Sequence, residues 1–446
     1  MPSKERRSRP VFSAVLGSDA LVETIFLANE SRTAFLVGTR DKVREEKEAS
    51  ASNEDVLVPY SATNNLLVHR AVLLPSGLGV FEGAERLLQE IEGFIERYVD
   101  LTPERTLVTA LFVLLTWVFD RFNEVPYLRV IGDYGTGKSR FLTVVGSLVY
   151  KGIFASGAST VSPLFRLLDS VGGTLVVDEG DFRFSDEKAE LIKILNNGNA
   201  KGFPVLRTEI TPRKEFNPTA FSVFGPKIIA TRRTFEDKAL ESRCITFEMP
   251  GGQMRESIPI SLPPIFDREA LSLRNSLLTF RFQCWSAFSP RQSAELAGLE
   301  PRTRQIIEPL FAVSPTERAR DAIRGLGVEL DNRLRGERRD RAEAVLAALL
   351  LAWDGDSPPS VGDLARAYSR SVEDATGVSP RWIGFLLRER LGLRTEKRHG
   401  VFVVAPGQEE RLELLMKRFG DPNRGMSGTS GRGNAGHGAP VPASSA

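Results

Sequence analysis

The segment Gly132-Asp-Tyr-Gly-Thr-Gly-Lys-Ser139 has the residue types and spacing of a phosphate-binding site. It fits the pattern G-x-x-x-x-G-K-[ST], follows the apolar run Tyr127–Ile131 and precedes the helical stretch 140–149. Glycines in such a turn let backbone N–H groups surround phosphate oxygens at a helix start, where the helix dipole favours an anion. The pattern therefore predicts a nucleotide phosphate loop, and a Gly-rich turn that matches by chance is the alternative.

The side chains of this loop have separate predicted roles. Lys138 is expected to reach the β- and γ-phosphates of ATP as a catalytic residue, and Ser139 to place its hydroxyl on Mg²⁺. The loop positions predicted to bind the nucleotide are Gly132, Gly135, Thr136, Gly137, Lys138 and Ser139.

Two adjacent acids, Asp178 and Glu179, end the apolar run 174–177 further along the chain. Open α/β sheets bind ligands at the carboxyl ends of their strands, so these acids are expected beside the phosphate loop. Asp178 is predicted to hold the water shell of Mg²⁺. Glu179 points to the other side of the strand and is predicted to activate the attacking water as a general base, which favours hydrolysis over phosphoryl transfer. Surface acids that stop a strand are the alternative.

Three further residues are predicted to act on the triphosphate. Thr231 ends the strand Lys227–Thr231, where a side chain can contact the γ-phosphate or the attacking water. Arg243 precedes the last strand of the core, and we expect either an arginine finger for a neighbouring subunit's nucleotide or a salt-bridged surface arginine. Arg304, with Arg302 nearby at a helix start, is a candidate second sensor from a helical lid or a surface residue.

Short apolar strands alternate with helices over residues 126–250, which predicts an α/β core. The predicted strands are Tyr127–Ile131, Ile153–Ala155, 174–177, Lys227–Thr231 and Cys244–Glu248, with helices starting near Gly137, Ser162 and Asp186. Two more β-like runs, 203–210 and 216–224, predict a hairpin with Arg213 and Lys214 at its tip. These two cations are predicted to contact nucleic acid, and a solvated turn is the alternative.

The rest of the chain divides by composition and periodicity. The predicted regions are a β-rich region over 1–75 with a mobile loop at 40–54 and a β-like run at 66–74, a helical brace over 76–125, a helical lid over 251–335, a basic linker at 333–341, a winged helix domain over 336–406, and a helix end followed by a disordered tail over 407–446.

The winged helix prediction rests on three helices and a hairpin. The helices are 341–353, one capped by Ser360 that runs to Tyr368, and one that starts at Pro380; the hairpin strands are 393–396 and Val401–Val404, with a turn at 397–400. Six Lys or Arg against two acids across 378–400 predict a surface that faces phosphates. The residues predicted to contact DNA are Arg381, Arg388, Lys397 and Arg398, and a subunit-packing module is the alternative.

Composition excludes several classes of protein. The 446 residues are 41% hydrophobic and 26% charged, as in globular proteins, and the net charge of +2 leaves attraction to nucleic acid to local patches. Two Cys and three His argue against a disulfide framework and a zinc site. The longest apolar run, 106–119, is too short for a membrane span, and the N-terminus has no signal-peptide pattern. A cytoplasmic protein without a membrane partner is expected.

Residues 126–249 carry these motifs together with Ile194-Leu-Asn-Asn-Gly198, Phe224-Gly-Pro-Lys-Ile-Ile-Ala-Thr231 and Ala239-Leu-Glu-Ser-Arg-Cys244. The run resembles the AAA+ ATPases related to superfamily 3 and minichromosome-maintenance-type helicases, and more narrowly a prokaryotic group of phage- and plasmid-associated helicase-like ATPases, over roughly residues 55–330. The resemblance implies an α/β fold with a parallel sheet of strand order 5-1-4-3-2, a helical lid, and rings, expected to be hexamers, with the active site between subunits.

Two functions follow as expectations. The first is an ATP- and Mg²⁺-dependent, DNA-dependent ATPase that acts as a helicase-like translocase or remodeller in the replication or maintenance of mobile elements. The alternative is an ATP-binding switch that controls a partner complex, made with replication or defence proteins, in mobile-element regulation or anti-phage defence. A winged helix repressor with a vestigial loop fits poorly with intact Lys138, Ser139, Asp178 and Glu179.

Overall fold

The computed structural model describes residues 7–50, 55–156, 161–178, 186–210, 216–235, 237–249, 251, 255–290, 292–353, 357–372 and 378–419. The chain divides into two compact units, residues 1–331 and 332–446. Three residues with predicted roles, Glu179, Arg213 and Lys214, lie outside the described residues, as does the tail from residue 420 onward.

Seven strands form two sheets at the N-terminal end of the first unit. They are β1 (Arg7–Val11), β2 (Ser13–Leu16), β3 (Ala20–Leu27), β4 (Arg32–Gly38), β5 (Val43–Glu46), β6 (Ala49–Ser50) and β7 (Asp55–Pro59). β2-β3-β4-β5 is antiparallel throughout, and β1-β7-β6 is mixed. The predicted loop at 40–54 is therefore wrong where β5 and β6 lie: β5 is an edge strand held by backbone pairing with β4, and three of its four side chains are exposed.

Helices follow this region. They are α1 (Asn65–Val68), α2 (Ala84–Tyr98) and α3 (Pro103–Thr116). The β-like run predicted at 66–74 is wrong, because the Asn64 side chain accepts a hydrogen bond from the backbone N–H of Leu66 and caps α1. α3 begins at the Thr102 cap and Pro103, and every residue from 106 to 116 is buried, as predicted. Within the described ranges, no helix combines the length and apolar character that crossing a bilayer requires.

A five-stranded parallel sheet forms the centre of the first unit. Its strands and helices are β8 (Tyr127–Ile131), α4 (Lys138–Gly146), β9 (Ile153–Ala155), α5 (Val161–Val171), β10 (Leu175–Val177), α6 (Asp186–Asn197), β13 (Lys227–Thr231), α7 (Lys238–Glu241) and β14 (Cys244–Glu248); β11 (Val205–Ile210) and β12 (Phe216–Phe221) form an antiparallel hairpin between α6 and β13. The sheet order β14-β8-β13-β10-β9 is 5-1-4-3-2 in chain order, as predicted.

Both faces of this sheet are covered. Leu128 and Ile228 belong to a core that includes α2, α3 and α4, whereas Tyr127 and Ile229 belong to a core with α5 and α6. Neighbouring residues of one strand thus enter opposite cores, and apolar runs without alternation are typical of such parallel strands. This burial explains why the strands were recognisable in the sequence.

Three helices complete the first unit, and the last continues into the second. They are α8 (Phe266–Cys284), α9 (Pro301–Ala312) and α10 (Glu317–Leu351). The helical lid at 251–335 was predicted, but the basic linker at 333–341 is wrong because this stretch lies inside α10. Arg and Glu are strong helix formers, so a charged run of this kind continues a helix readily. Short 3₁₀ helices cover Ala28–Glu30, Phe119–Arg121, Trp285–Ala287 and Ala294–Leu296.

The second unit contains two of the three predicted helices and the hairpin, whereas the predicted helix 341–353 is the end of α10 and not a separate helix. After α10 come α11 (Val361–Ser371), α12 (Pro380–Phe385) with a π-helical turn at Leu386–Arg390, β15 (Thr395–Arg398), β16 (Val401–Val404) and α13 (Glu409–Phe419). The Ser360 side chain caps α11 and that of Ser379 caps α12. The predicted four-residue turn is wrong: His399 and Gly400, with φ of 46° and 84°, form a two-residue turn, because positive φ at both positions matches the strand twist.

Candidate functional site

The predicted phosphate loop joins β8 directly to α4. Gly135 and Gly137 have φ of 76° and 88°, which favours glycine at both positions. At Gly132 an added Cβ would lie 2.5 Å from Oγ1 of Thr136, whose hydroxyl donates to the carbonyl of Asp133 at 2.9 Å. The first amides of α4 have no carbonyl acceptor within the helix, so the loop ends in N–H groups suited to an anion.

The loop and two strand ends line one cavity of about 320 Å³. Residues with predicted roles that line it are Gly135, Thr136, Gly137, Lys138, Ser139, Asp178 and Thr231; residues without one are Tyr134, Arg140, Ala230 and Arg232. Strand register explains this meeting point, because Thr231 pairs with Ile131 and Val177 pairs with Ile229. The ends of β8, β10 and β13 therefore lie at the same edge of the sheet.

The Lys138 ammonium group lies at the mouth of the loop. Its Nζ donates to the carbonyl oxygens of Gly132 and Asp133, both at 2.6 Å. The lysine is thereby held over the loop that carries it, within the cavity. A phosphate oxygen is a stronger acceptor for an ammonium group than a neutral carbonyl, so these two bonds can be exchanged for bonds to a ligand.

Thr231 joins the loop to the neighbouring strand. Its carbonyl accepts from the N–H of Gly132 at 3.3 Å. Its side chain is 2% exposed, and Oγ1 has no hydrogen-bond partner among the described residues. A buried hydroxyl without a partner costs free energy, so this atom fits a site in which a ligand or its bound water completes the hydrogen bond.

Asp178 and Ser139 are the residues of the cavity that can hold a magnesium ion. Asp178 follows β10, and its N–H donates to the Ala155 carbonyl at 3.2 Å, which extends the ladder to β9. Within the part of the chain that is described, no three His, Cys, Asp or Glu side chains form a metal cluster. The carboxylate of Asp178 and the hydroxyl of Ser139 suit Mg²⁺, which takes few protein ligands and completes its shell with water and phosphate oxygens.

Sequence reasoning missed an arginine in this cavity. The guanidinium of Arg232 stacks on the ring of Tyr134, and both residues line the cavity beside Lys138. Arg232 directly follows Thr231, so its place after the strand end was the available signal. The contact with Tyr134 joins two segments about 100 residues apart and has no local sequence pattern.

Arg243 lies at the amino ends of the parallel strands, opposite the carboxyl ends that line the cavity. Its carbonyl accepts from the N–H of Tyr127, the first residue of β8, and its guanidinium donates to Asn199 Oδ1 at 2.7 Å and to Asn196 Oδ1 at 2.8 Å. Burial lowers the pKa of Arg243. β8 separates this edge from the phosphate loop, so Arg243 is placed away from the cavity of its own chain. A role in a neighbouring subunit's site stays a prediction.

The two candidate sensors of the lid also have other partners. Arg302 donates to Oγ of Ser242 at 3.1 Å, near the same amino edge as Arg243. Arg304 forms an ion pair with Glu308 at 2.8 Å, within α9. Neither is among the described residues that line the cavity. Nucleotide binding by Arg304 therefore stays a prediction.

A buried ion pair supports the strand that carries the loop. Arg129 of β8 is fully buried and donates from Nη1 to Oε2 of Glu241 at 2.6 Å. The same carboxylate accepts from the N–H of Phe235, and Arg129 also bonds to Oγ1 of Thr246. This network ties β8 to α7, which ends two residues before Arg243, and to β14 through Thr246.

The second unit exposes the four predicted DNA contacts together with aromatic residues. Arg381, Arg388, Lys397 and Arg398 are exposed; Arg388 donates to Oγ1 of Thr395 at 3.1 Å and Arg398 pairs with Glu396. Large apolar side chains interleave with them, which sequence reasoning did not predict: Trp382 is 39% exposed, Phe385 50% and Phe402 53%. Cations and aromatic rings together suit nucleic acid, and exposed apolar groups also mark protein interfaces.

Comparisons with known proteins give no family for the chain. No protein-family profile matches it, and neither does any curated protein. Two apo structures of the NrS-1 C-terminal region align with 86% of this chain and with 95% and 96% of their own, at 12% and 10% identity and a TM-score of 0.31 each. A structure of JCV helicase with a bound acetamide compound aligns with 57% of this chain and 62% of its own, at 12% identity and a TM-score of 0.24. TM-scores this low do not establish a shared fold.

Proposed function

We propose that the chain is an ATPase of the helicase-like AAA+ type, that DNA stimulates its activity, and that it works in the cytoplasm as a ring, expected to be a hexamer. One observation carries the proposal: the phosphate loop, Asp178 and Thr231 line a single cavity at the carboxyl edge of a parallel sheet. Ligands of open α/β sheets bind at this edge. The motif resemblance of residues 126–249 points to the same class.

The cavity residues have separate roles in binding ATP. The loop amides and Lys138 bind the β- and γ-phosphates, and Lys138 gives up its two carbonyl bonds to do so. Ser139 and Asp178 hold Mg²⁺, which neutralises charge on the phosphate oxygens when bound. Thr231 uses its unpaired buried hydroxyl to orient the γ-phosphate or the attacking water.

Two further groups serve hydrolysis. Arg232, on the same chain, supplies a second cation beside Lys138 for the charge that develops in the transition state. Glu179, next to Asp178 in the sequence, is the proposed general base, and Arg243 is the proposed finger for a neighbouring subunit.

The proposed DNA contacts come from two places. In the second unit, Arg381, Arg388, Lys397 and Arg398 bind the phosphate backbone, while Trp382 and Phe402 offer rings for stacking. In the first unit, the other proposed contacts are Arg213 and Lys214, which lie between β11 and β12 in the sequence. Together they link hydrolysis to movement on, or remodelling of, the DNA of mobile elements.

The testing experiment measures ATP hydrolysis with single-stranded DNA, with duplex DNA and without DNA. We expect stimulation by DNA, and we expect Lys138→Ala to lower kcat/KM by about 10²-fold or more, because the cavity loses its principal phosphate cation. Lys42→Ala, at an exposed lysine far along the chain from the loop, is the matched control. Hydrolysis unaffected by Lys138→Ala would disprove ATP hydrolysis in this cavity. Equal rates with and without DNA would disprove only the stimulation by DNA.

A switch that controls a partner complex is the second candidate, favoured by the exposed Trp382 and Phe385, since exposed apolar patches mark protein interfaces. The variant Glu179→Gln separates the two functions, because it is expected to bind ATP without turnover. A translocase needs repeated hydrolysis and loses its function, whereas a switch keeps its ATP-dependent binding to a partner.

A further inference from the structure

A second cavity of about 610 Å³ lies in the first unit, away from the phosphate loop. Its walls come from β3, α1, the segment after α1, and α8. Most of the side chains that line it are apolar, and they include Phe26, Leu67, Val72, Leu74 and Leu271. Size and lining match small-molecule sites, which are mostly apolar with a few polar groups that fix orientation.

Three charged residues, Arg70, Asp267 and Arg274, also line this cavity, and Arg274 of α8, at 6% exposure, is the buried one. Its two hydrogen bonds go to neutral acceptors: Nη1 donates to the Ser147 carbonyl at 2.8 Å and Nε to the Leu74 carbonyl at 3.4 Å. Among the described residues, no carboxylate pairs with it, and neither bond uses Nη2. A buried guanidinium without an anion is costly, so this arrangement calls for a counter-charge.

The carboxylate on the same helix does not supply that charge. Asp267 is bound by Arg70, at 2.6 Å and 2.8 Å, and both side chains are more than half exposed at the rim of the cavity. Arg70 thus neutralises Asp267, and one net positive charge stays with Arg274. The pKa of Arg274 is lowered to about 10, chiefly by burial and also by the nearby charge of Arg70, while the charge of Asp267 acts in the opposite direction. At neutral pH the guanidinium is still charged.

We infer that this cavity binds a small organic anion with an apolar body, whose carboxylate or phosphate group pairs with Arg274 and whose hydrocarbon part packs on Leu67, Val72, Leu74 and Leu271. Guanidinium groups bind carboxylates and phosphates through charge-assisted hydrogen bonds, and the free Nη2 provides a donor. The apolar walls exclude hydrophilic anions such as free phosphate as good ligands. The inference does not depend on the proposed ATPase.

The test uses calorimetric titration of the full chain with decanoate and with decanol, which share a hydrocarbon chain and differ in charge. We expect decanoate to bind about ten- to a hundredfold more tightly, the range of a charge-assisted hydrogen bond. Arg274→Met, which keeps side-chain length without the charge, is expected to remove this preference and leave decanol binding in place. Arg86→Met, at an exposed arginine of α2, is the control and keeps the preference.

A second variant keeps the test decisive should Arg274→Met fail to fold. Leu271→Trp narrows the cavity while leaving Arg274 in place, and both ligands are expected to lose binding. Equal affinity of the wild-type chain for decanoate and decanol overturns the inference, as does a preference for decanoate that survives Arg274→Met or decanoate binding that survives Leu271→Trp. Titration of the wild-type chain with decanoate and with decyl phosphate then shows whether the cavity prefers a carboxylate or a phosphate group. Failure of both ligands to bind also overturns the inference.

Discussion

The guanidinium carbon of Arg232 lies 3.9 Å from the centroid of the Tyr134 ring. Tyr134 belongs to the phosphate loop and is 76% exposed, so its ring holds the guanidinium rather than filling a core. Cation–π contacts of this kind are worth about 0.5–1 kcal/mol at exposed sites, weak enough to give way to a charged ligand. The contact places a second cation over the cavity that also contains Lys138.

Arg232→Ala is expected to lower kcat for ATP by about 10²–10³-fold, because the transition state loses a cation that neutralises its developing charge. Nucleotide affinity should change much less, since Lys138 and the loop amides carry the ground-state contacts. Steady-state hydrolysis and titration with a fluorescent ATP analogue measure the two quantities. The next residue, Arg233, is exposed and gives the matched control Arg233→Ala, which should behave as wild type. A loss of affinity equal to the loss of turnover would contradict this role.

Assemblies that mix two variants can distinguish the role of Arg232 from that of the proposed finger Arg243, which lies at the amino ends of the strands. When Arg232→Ala chains are mixed with Arg243→Ala chains, an interface can form in which one chain supplies Arg232 and its neighbour supplies Arg243. Activity should therefore return on mixing. If both arginines acted from the same chain, no mixed interface would be complete and the mixture would stay inactive.

Thr231→Val is expected to lower ATP turnover by about tenfold without destabilising the fold. The hydroxyl is buried and has no partner among the described residues, so a methyl group of the same shape removes a desolvation cost. Thr174 provides a control, because its Oγ1 is equally buried and unpaired in the described structure but lies at the other end of the sheet, before β10. Thermal unfolding should show no loss of stability in either variant, and only Thr231→Val should hydrolyse ATP slowly. Equal turnover in both variants rules out a role for Thr231.

The sequence predicted the sheet well because its strands are buried on both faces. The bounds of β8, β9, β13 and β14 agree with the predicted ones, and β10 differs by one residue. In such strands the apolar run is itself the signal. Strand order has no local signal of this kind, and only the resemblance implied it.

The wrong or missing predictions concern segments whose local composition does not reveal the structure that they adopt in the fold. β5 has one apolar residue in four and exists through its pairing with β4, so it looks like a loop in the sequence. The stretch 333–341 looks like a linker by its charge, although its residues are good helix formers and α10 runs through it. Arg232 was missed because its partner Tyr134 comes from another segment of the chain.

DNA binding through the second unit predicts a change in salt dependence. In the full chain, Arg381→Ala and Lys397→Ala should each weaken binding to single-stranded DNA and reduce the slope of log affinity against log salt by about 1, as expected when one phosphate contact is lost. Arg366→Ala is the control, since Arg366 is also exposed but pairs with Asp363 on α11. Fluorescence anisotropy at several salt concentrations gives the slopes. Unchanged slopes in both variants would favour the subunit-packing alternative.

Trp382 tests the stacking part of the same surface. Its ring is 39% exposed and contacts Tyr368 edge to face at 5.5 Å between centroids. Trp382→Ala should weaken binding to single-stranded DNA by about 1–3 kcal/mol and leave the salt slope unchanged, because stacking releases no counterions. A changed slope together with a lower melting temperature would instead assign Trp382 to the packing of the unit.

The buried Lys227 of β13 predicts how stability depends on pH. Its Nζ donates to the carbonyls of Gly198, Val223 and Gly225 at 2.9–3.1 Å, and burial lowers its pKa from 10.5 to about 7. Between those two values the unfolded chain binds more protons than the folded chain, so the free energy of unfolding rises with pH through this window.

The variant Lys227→Met tests this dependence because it lacks the titrating group. The difference in unfolding free energy, wild type minus variant, should therefore rise from pH 7 to pH 9 by up to about 1.4 kcal/mol per pH unit. Urea unfolding of both chains measures it, with Lys42→Met as the exposed control, and a difference that stays constant or falls with pH contradicts the lowered pKa.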